Sequence, residues 1–485
     1  MSTEKLDRRD TLGLLLLSLG VALIVVDMSI VNLVLPQIAR DLDLGFSGLQ
    51  YVGALFSLAA AAVVVAAGDV ADRIGPRRAY LGGLAVFLGG SALAAVAPTD
   101  VVMYGARVIQ GIGGGAALTA AIGTINAAYS GPARGTAFAL YGVTFAAACA
   151  AGPLLGAVIA EIADWRWAFG VNLVVGPLAY VGVSRLVPNV APRAEARTPD
   201  VTGTVLVSGA LTAVTFAIVQ GAEVAWPVAV ALFAAFAISQ RSKVRRNAPA
   251  ILDPVLTRVR SFTLGSAALL IIGVGEFGLM FLLPLYQQAG LGLSPIEAGL
   301  VGLPVPLFAV LAFPLMQAFA ARSDERTAVV VGLLLEAIGL VGVAMAVGGG
   351  ALLMIPGLAI YGLGVGAATA QLSALVLAEV PASRNGLASG ISSAVRQLGS
   401  TLGVGLLGVV FTAALSGPLA DRPVQTVSAL RASGQDEAVS RAADQLGNGL
   451  FAAALVSAAF LVVGALAIRM QPRRERAYVP APVAA

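Results

Sequence analysis

The sequence has no histidine and a single cysteine, Cys149, among its 485 residues. The absence of histidine excludes His-ligated metals, haem sites and Ser-His-Asp catalysis. One cysteine forms neither an internal disulfide framework nor a thiolate metal site. Charged residues make up only 12% of the chain, and the net charge of +4 is too small to indicate nucleic-acid binding.

Apolar residues are abundant instead, at 58% of the chain, and glycine occupies 57 positions. A soluble domain does not need so much apolar surface, whereas glycine in lipid lets helices pack closely. Apolar segments long enough to cross a bilayer recur along the whole chain. We therefore predict an all-α polytopic membrane protein with fourteen spans, the eighth being the shortest, at 12–35, 47–67, 79–97, 101–125, 136–160, 167–187, 202–220, 225–240, 262–286, 296–320, 328–347, 351–377, 386–414 and 448–468.

Lys and Arg are distributed unevenly between the two sets of loops that alternate along these spans. The set that includes the N-terminus holds most of them, among them Arg73, Arg77, Arg78 and the basic run from Arg241 to Arg246. Because basic loops stay in the cytoplasm, both termini are predicted to be cytoplasmic. The Ala-, Val-, Gly- and Arg-rich composition points to a bacterium, and therefore to the bacterial inner membrane.

Two polar segments lie outside the predicted spans. Between the last two spans, Ala429 to Leu446 is predicted to form an amphipathic surface helix. Residues 471–485 are basic and then rich in Pro and Ala, and are predicted to form a disordered cytoplasmic tail. No cleavable signal peptide is expected, because the first apolar segment is too long and lacks a small-residue cleavage site.

A repeat with a period of about 250 residues runs through the spans. Gly111–Ala117 in the fourth span recurs as Gly362–Ala368 in the twelfth, and Leu35-Pro36 recurs as Leu283-Pro284. Both copies start on the same side of the membrane, as in parallel repeats related by an axis along the membrane normal. We predict two six-helix halves, 1–190 and 255–470, with a two-helix hairpin and basic linker inserted at 191–254.

Three acidic residues lie deep inside predicted spans, away from the span ends: Asp27, Glu276 and Glu336. Asp27 precedes Pro36 by nine residues, which places it roughly 13 Å from the membrane boundary at the rise of an α-helix. A charge at that depth is costly unless it has a partner, water or a proton. Each acid is read either as a structural ion pair or hydrogen bond, or as a site that binds a proton or cation. The repeat places Glu276 beside the equivalent of Asp27 and favours the second reading.

The loop after the second span resembles a signature of the major facilitator superfamily, G-x-x-x-D-R-x-G-R-[RK], with Pro76 in place of one basic residue. Gly75 permits a tight turn there. The resemblance implies that Asp72 and Arg73 lock the cytoplasmic side in the outward-open state. The cytoplasmic gate is thereby assigned to Gly68, Asp72, Arg73, Gly75, Arg77 and Arg78.

Two further motifs of this superfamily have counterparts within the spans. Arg107-Val108-Ile109-Gln110-Gly111 resembles the R-x-x-Q-G motif associated with proton transfer. Arg107 lies about 10 Å deep, close to the depth of Asp27, so that the two side chains can pair or communicate through water. Gly152, Pro153 and Gly156 of the fifth span resemble the antiporter motif G-x-x-x-G-P-x-x-G-G, in which Pro153 is expected to bend the helix.

The segment Val26–Pro36 resembles the L-D-x-T-I-V-N-V-A-L-P signature of the fourteen-helix drug:proton antiporters, and Trp165–Asn172 resembles their W-R-W-x-F-x-x-N motif. This resemblance implies a proton-coupled exporter that works by alternating access, rather than an enzyme. Proton coupling is assigned to Asp27, Arg107 and Glu276. Further polar side chains are expected to line the substrate cavity: Asn32, Gln110, Asn172, Gln288, Glu336, Tyr361 and Gln371.

The expected cargo is a range of lipophilic cations, because buried carboxylates attract cations and apolar walls tolerate varied shapes. The alternative is an exporter of one metabolite, such as an amino acid or a self-made antibiotic. A membrane enzyme or transport-dead receptor is disfavoured, because the sequence shows no nucleophile or metal motif. The expected partners are the substrate, protons and the lipid bilayer, with no cofactor and no metal, and the expected state is a monomer.

Overall fold

The structure is a computed structural model that describes residues 7–192, 198, 200–246, 248–251, 254–312, 324–381 and 385–470. The predicted tail at 471–485 lies outside these residues. All regular secondary structure within the described ranges is helical. The helices are α1 (Arg8–Asp41), α2 (Phe46–Ile74), α3 (Pro76–Ala95), α4 (Asp100–Ala128), α5 (Gly131–Ile162), α6 (Trp167–Leu186), α7 (Val201–Gln220), α8 (Ala225–Arg245), α9 (Pro254–Arg258), α10 (Arg260–Leu285), α11 (Pro295–Gly302), α12 (304–312), α13 (Glu325–Met345), α14 (Met354–Leu377), α15 (Asn385–Thr412), α16 (Pro418–Asp421), α17 (Pro423–Ala432) and α18 (Asp436–Arg469).

Thirteen segments of the described chain are helical, long and apolar enough to cross a membrane. They confirm the prediction of an all-α polytopic membrane protein. The predicted span that is not apolar enough to be counted among them is α8, whose last turn carries Lys243 and Arg245. It is nevertheless a continuous helix of 21 residues that packs along α7. The segment predicted as the eighth span is thus a helix, and it is the least apolar of the set.

Local sequence sets several helix boundaries. Asp7, Thr99 and Asp200 each accept a hydrogen bond from a backbone N–H in the first turn of the helix that follows, which satisfies a donor that the helix leaves free. Gly75 separates α2 from α3 with a φ of +94°, a left-handed conformation that favours glycine. The chain can therefore reverse between two long helices within a single residue.

The repeated glycine segments have the same packing role in both copies. A Cβ added to Gly113 of α4 would lie 2.2 Å from the backbone nitrogen of Phe87 in α3, and one added to Gly364 of α14 would lie 2.5 Å from that of Glu336 in α13. At both places the two helix backbones are in direct contact, and any larger residue would push them apart. The repeat in sequence is therefore also a repeat in helix packing.

The inserted hairpin packs on the bundle through α7, which contacts both α2 and α15. Phe216 of α7 stacks on Tyr51 of α2 with ring centroids 6.4 Å apart, and Ile218 lies against Gly405 of α15. At the start of α7, Asp200 binds Gln240 and Lys243 of α8. The predicted boundaries of the two halves and of the hairpin remain predictions.

We call the end of the bundle with the α1–α2 turn the cap end and the end with the turn at Gly75 the basic end. At the cap end, Gln425 of α17 donates hydrogen bonds to the carbonyl oxygens of Ala39 and Leu44, at 2.9 and 2.7 Å. Arg422 binds Asp43 at 2.6 Å. The single amphipathic helix predicted from Ala429 to Leu446 is wrong. The chain turns through Gly434, whose φ is +67°, so that α17 ends at Ala432 and α18 begins at Asp436.

Candidate functional site

The carboxylate of Asp27 lies at the meeting point of three helices. It is fully buried in α1 and accepts hydrogen bonds at both oxygens. Oδ2 accepts from Arg107 Nη1 of α4 at 2.9 Å, and Oδ1 accepts from Asn172 Nδ2 of α6 at 2.6 Å and from Gln110 Nε2 at 3.1 Å. Four of the residues selected from the sequence therefore form one site.

The partners of Asp27 are themselves held in place. Ser91 of α3 accepts from Gln110 Nε2 at 2.9 Å and from Asn172 Nδ2 at 3.1 Å. Arg107 Nε donates to the Val52 carbonyl oxygen at 3.1 Å, and its guanidinium lies 4.9 Å from the centre of the Phe56 ring. These contacts fix the orientation of both amides and of the guanidinium around a single carboxylate.

The start of α6 aligns Asn172 with the site. Trp165 Nε1 and Arg166 Nη1 donate to Asp41 Oδ2 at the end of α1, at 3.0 and 2.8 Å. The W-R pair of the predicted motif therefore fixes the first turn of α6 against α1. Asn172 then lies little more than one turn into α6, where it reaches the carboxylate of Asp27.

Buried charge makes the Asp27 site sensitive to protonation. Asp27 is 0% and Arg107 2% exposed, so that neither charge is stabilised by water in this conformation. Each ion depends on the other, because an unpaired charge costs several kcal/mol in such an environment. A proton on Asp27 would remove the counter-ion of Arg107 and one acceptor shared by two amides. The site therefore has two distinct electrostatic states.

A second acidic group occupies the opposite part of the bundle. Glu276 Oε2 of α10 accepts from Arg396 Nη2 of α15 at 2.9 Å. Glu336 of α13 and Tyr361 of α14 are buried within electrostatic reach of that pair. Glu336 and Tyr361, both predicted to line the substrate cavity, thus lie near Glu276 rather than near Asp27. Glu276 is the third residue predicted to take part in proton coupling.

The remaining predicted cavity residues lie elsewhere. Gln288 is in a π-helical turn, Tyr286–Gly290, and donates to the Leu33 carbonyl oxygen at 2.9 Å. It borders a cavity of about 330 Å³ at the cap end, which Arg40, Glu161 and Arg431 also line. Asn32 is half-buried in α1 and Gln371 is buried in α14.

The predicted gate residues lie at the basic end. Gly68, Asp72 and Arg73 belong to the last turns of α2, and Gly75, Arg77 and Arg78 to the turn and the start of α3. Arg77 donates to the Ser184 carbonyl oxygen near the end of α6. A Cβ on Gly75 would lie 3.1 Å from the Val190 carbonyl oxygen. The segment therefore fastens the α2–α3 turn to the chain that leaves α6.

The predicted antiporter motif packs α5 against α1. A Cβ on Gly152 would lie 2.8 Å from that of Ser29, and one on Gly156 would lie 2.9 Å from the Cα of Ile30. Pro153 lies within α5, and its carbonyl oxygen faces Gly299 of α11. The small residues allow α5 to contact α1 two residues after Asp27, close to the buried carboxylate.

Sequence reasoning missed two functional contacts. Ser91 joins the Asp27 site from α3, and a lone serine in an apolar segment gave no signal. Arg396 is the partner of Glu276, and a signal for it did exist, because Arg107 and Arg396 are the two arginines that lie well inside predicted spans, away from the span ends. The observed pairs match each of these arginines with a buried acid.

Comparison with known proteins agrees with this architecture. The chain is 30% identical over 420 residues to the "Multidrug resistance protein Stp" of Mycobacterium tuberculosis, covering 85% of this chain and 78% of that protein. It is 31% identical over 453 residues to the "Puromycin resistance protein pur8" of Streptomyces alboniger, with 87% and 86% covered. It is 30% identical over 407 residues to the "Probable actinorhodin transporter" of Streptomyces coelicolor, with 79% and 69% covered.

Solved structures share the fold. The inward-facing, unoccupied bacterial homologue of the human lysosomal transporter Spinster superposes with a TM-score of 0.66 at 15% identity, over 96% of this chain and 98% of that one. The sequence profile described as Major Facilitator Superfamily matches residues 17–404. The chain is a member of the Major Facilitator Superfamily, a multi-pass membrane transporter.

Proposed function

We propose that this protein is a proton-coupled antiporter of the fourteen-helix drug:proton group that exports lipophilic cations by alternating access. The observation that carries the proposal is the fully buried Asp27 carboxylate, held at both oxygens by side chains of α4 and α6. A carboxylate in such a place changes the helix contacts around it whenever it gains or loses a proton.

The ionised form of Asp27 holds α1, α4 and α6 together. Hydrogen bonds to a charged group contribute about 1.5–3 kcal/mol each, and the bond to Arg107 is the strongest of the three. A proton bound at Asp27 removes that attraction and frees α1 to separate from α4 and α6. We propose that this separation opens the site toward one side of the membrane, and that release of the proton closes it again.

The orientation follows from the distribution of charge. The basic end carries the arginines of the α2–α3 turn and of the end of α8, and we place it in the cytoplasm of a bacterium. The cap end then faces outward, with α16 and α17 bridging the bundle. Protons would enter from the cap end, and substrate would enter from the basic end.

The substrate class is inferred from charge and from relatives. Asp27, Glu276 and Glu336 place three carboxyl groups within the spans against the two arginines that pair with them, so that the fully deprotonated state carries one net negative charge and favours a cationic substrate over an anionic one. Relatives named for multidrug resistance, at 30% identity or above over most of the chain, support export of drug-like compounds.

The test is exchange in inverted membrane vesicles that hold an acid-inside proton gradient. Addition of ethidium should release protons, recorded as fluorescence recovery of a pH-sensitive dye. Asp27→Asn should abolish the recovery, whereas Glu437→Gln, which makes the same chemical change at an exposed position of α18, should leave it intact. Full recovery in Asp27→Asn would refute the assignment of coupling to this carboxylate.

The second candidate is an exporter of one metabolite. The observation in its favour is the similarity to relatives named for actinorhodin and puromycin, which are single compounds. A panel of structurally unrelated cations decides between the two, because a dedicated exporter would respond to none of them, and a broad exporter would respond to several.

A further inference from the structure

Glu336 is a buried acid to which no described residue donates a hydrogen bond. Its side chain is 0% exposed, and neither carboxyl oxygen has a hydrogen-bond partner among the described residues. A Cβ at position 364 would lie 2.5 Å from Glu336 Cγ, so the absence of a side chain on Gly364 makes the space that Glu336 fills. An ionised carboxylate without a donor is strongly disfavoured in such a place, so the neutral, protonated form of Glu336 is the one that fits this environment.

Within the described part of the chain, the charged groups that act on Glu336 come from two helices. Glu276 of α10 acts on it with a like charge and Arg396 of α15 with an opposite charge, and all three charged groups act electrostatically on the buried Tyr361 of α14. The buried stretch of α18 that also packs on α13 has no Asp, Glu, Lys or Arg between 446 and 468. Arg396 thus pairs with Glu276 and acts on Glu336 only electrostatically, and its one positive charge balances a single negative charge.

The three side chains are graded in exposure. Arg396 is 26% exposed, Glu276 is 7% exposed, and Glu336 is fully enclosed. The Glu276–Arg396 pair is therefore the outer part of the group, and Glu336 is the inner part. The side of Glu276 and Arg396 is therefore the side of this group that lies nearer to water.

We propose that Glu276, Glu336 and Arg396 form a second proton-binding site that carries one proton per transport cycle, in addition to the proton carried at Asp27. The proposal rests on the antiport function proposed above and adds its stoichiometry. In the loaded state Glu336 is neutral and the ion pair of Glu276 with Arg396 is intact. On release, the O–H bond at Glu336 breaks and the proton passes to water on the side of that ion pair. Both carboxylates are then ionised beside one guanidinium.

A direct measurement of the bound proton does not depend on transport. Infrared spectra of the purified wild-type protein at neutral pH should contain a carboxylic C=O band at the high-frequency end of its range, because the carbonyl of Glu336 accepts no hydrogen bond. Glu336→Gln should remove that band, whereas Asp27→Asn and Glu437→Gln should retain it. Spectra that are identical in the wild type and Glu336→Gln would overturn the proposal.

The stoichiometry is tested with membrane potential alone. Exchange of two protons for one monovalent cation moves one net positive charge in the direction opposite to that of the cation. In proteoliposomes with equal pH on both sides, a lumen-positive potential set by potassium and valinomycin should therefore draw ethidium into the positive lumen. The equilibrium ratio is tenfold for about 59 mV. Passive leak of ethidium would instead lower its concentration in the positive lumen. Exchange of one proton for one ethidium moves no net charge, so the distribution of ethidium would then be independent of potential.

Glu336→Gln should lose this response to potential, because only the proton at Asp27 is then exchanged for each ethidium. Glu437→Gln should behave as the wild type. Potential-driven uptake that persists in Glu336→Gln, or wild-type transport that is insensitive to potential, would overturn the second site and leave the coupling at Asp27 standing. Loss of all transport in Glu336→Gln would also overturn it, since the two sites would then not be separate. Unchanged gradient-driven transport in Asp27→Asn would instead count against the proposed function.

Discussion

The ion pair between Asp27 and Arg107 makes a quantitative prediction about stability. Arg107→Met keeps an unbranched side chain of similar length and leaves the Asp27 carboxylate buried without its cation. Removal of one partner from a buried pair costs about 3–5 kcal/mol. Asp27→Asn strands the guanidinium of Arg107 in the same way, and we expect a loss of similar size.

The double variant Asp27→Asn, Arg107→Met removes both charges at once. Compared with the wild type, the double variant still lacks the hydrogen bonds from Arg107 to the carbonyl oxygens of Val52 and Gln110, at 3.1 and 2.8 Å. Neutral acceptors of this kind contribute about 1 kcal/mol each, so we expect a total loss of about 2 kcal/mol. The coupling energy between the two positions is then about 4 kcal/mol or more, far outside the few tenths expected of independent sites.

The assay is equilibrium unfolding of the purified protein in mixed micelles as the fraction of sodium dodecyl sulfate increases. The exposed pair Glu437 and Arg441, with its nitrogen and oxygen 3.7 Å apart, serves as the matched control. Its double-variant cycle should give less than 1 kcal/mol, because exposed pairs contribute little. A double variant at Asp27 and Arg107 that is as unstable as the sum of the two single variants would refute the reasoning.

Three further predictions concern other parts of the chain. Gly113→Ala should prevent correct packing of α4 on α3, because its Cβ would overlap backbone atoms, and Gly89→Ala, which meets open space, should keep or improve thermal stability. Burial raises the pKa of Asp200, but hydrogen bonds from a lysine and a glutamine outweigh this and hold it below the ordinary value. The stability that it contributes is present above about pH 3.9 and is lost as the pH falls through the lower folded-state pKa, so the deficit of Asp200→Asn in thermal unfolding should shrink at acid pH. Cysteines at positions 43 and 422, joined by a short thiol cross-linker in a cysteine-free background, should stop substrate flux, and a reducible linker should restore it on reduction; undiminished flux would show that the cap end need not open.

The pairing of Asp27 with Arg107 was predictable because the rise of a helix converts sequence position into depth. Depth does not specify rotation about the helix axis, and this limits what sequence alone can assign. Gln110 follows Arg107 by three residues, which puts both on one face of α4. Asn32 follows Asp27 by five residues, about 140° further around the helix axis, so it lies on a different face of α1. The helical period thus distinguishes Gln110 from Asn32, although both were predicted to line the cavity because their side chains are polar.

Partners from distant helices could not be predicted in the same way. Arg396 meets Glu276 because α15 packs on α10, and this arrangement depends on the whole bundle rather than on local pattern. The cap region was mispredicted for a related reason. Its apolar periodicity continues past Ala432, but Gly434 adopts a left-handed conformation that ends one helix, and the polar residues that follow start the next. A single glycine in a polar segment is weak evidence for a break until its φ angle is known.

The direct backbone contact at Gly113 has a mechanical consequence. No side chain lies between α3 and α4 there, so no rotamer change can absorb a displacement of one helix relative to the other. The two helices must move as one stiff unit, and Ser91, Arg107 and Gln110 keep their mutual distances throughout a cycle. By contrast, α1 touches α3 through the ring of Tyr80, which binds the Leu17 carbonyl oxygen at 3.0 Å. Any motion that exposes Asp27 is therefore a displacement of α1 relative to the rigid α3–α4 pair, and that pair need not deform.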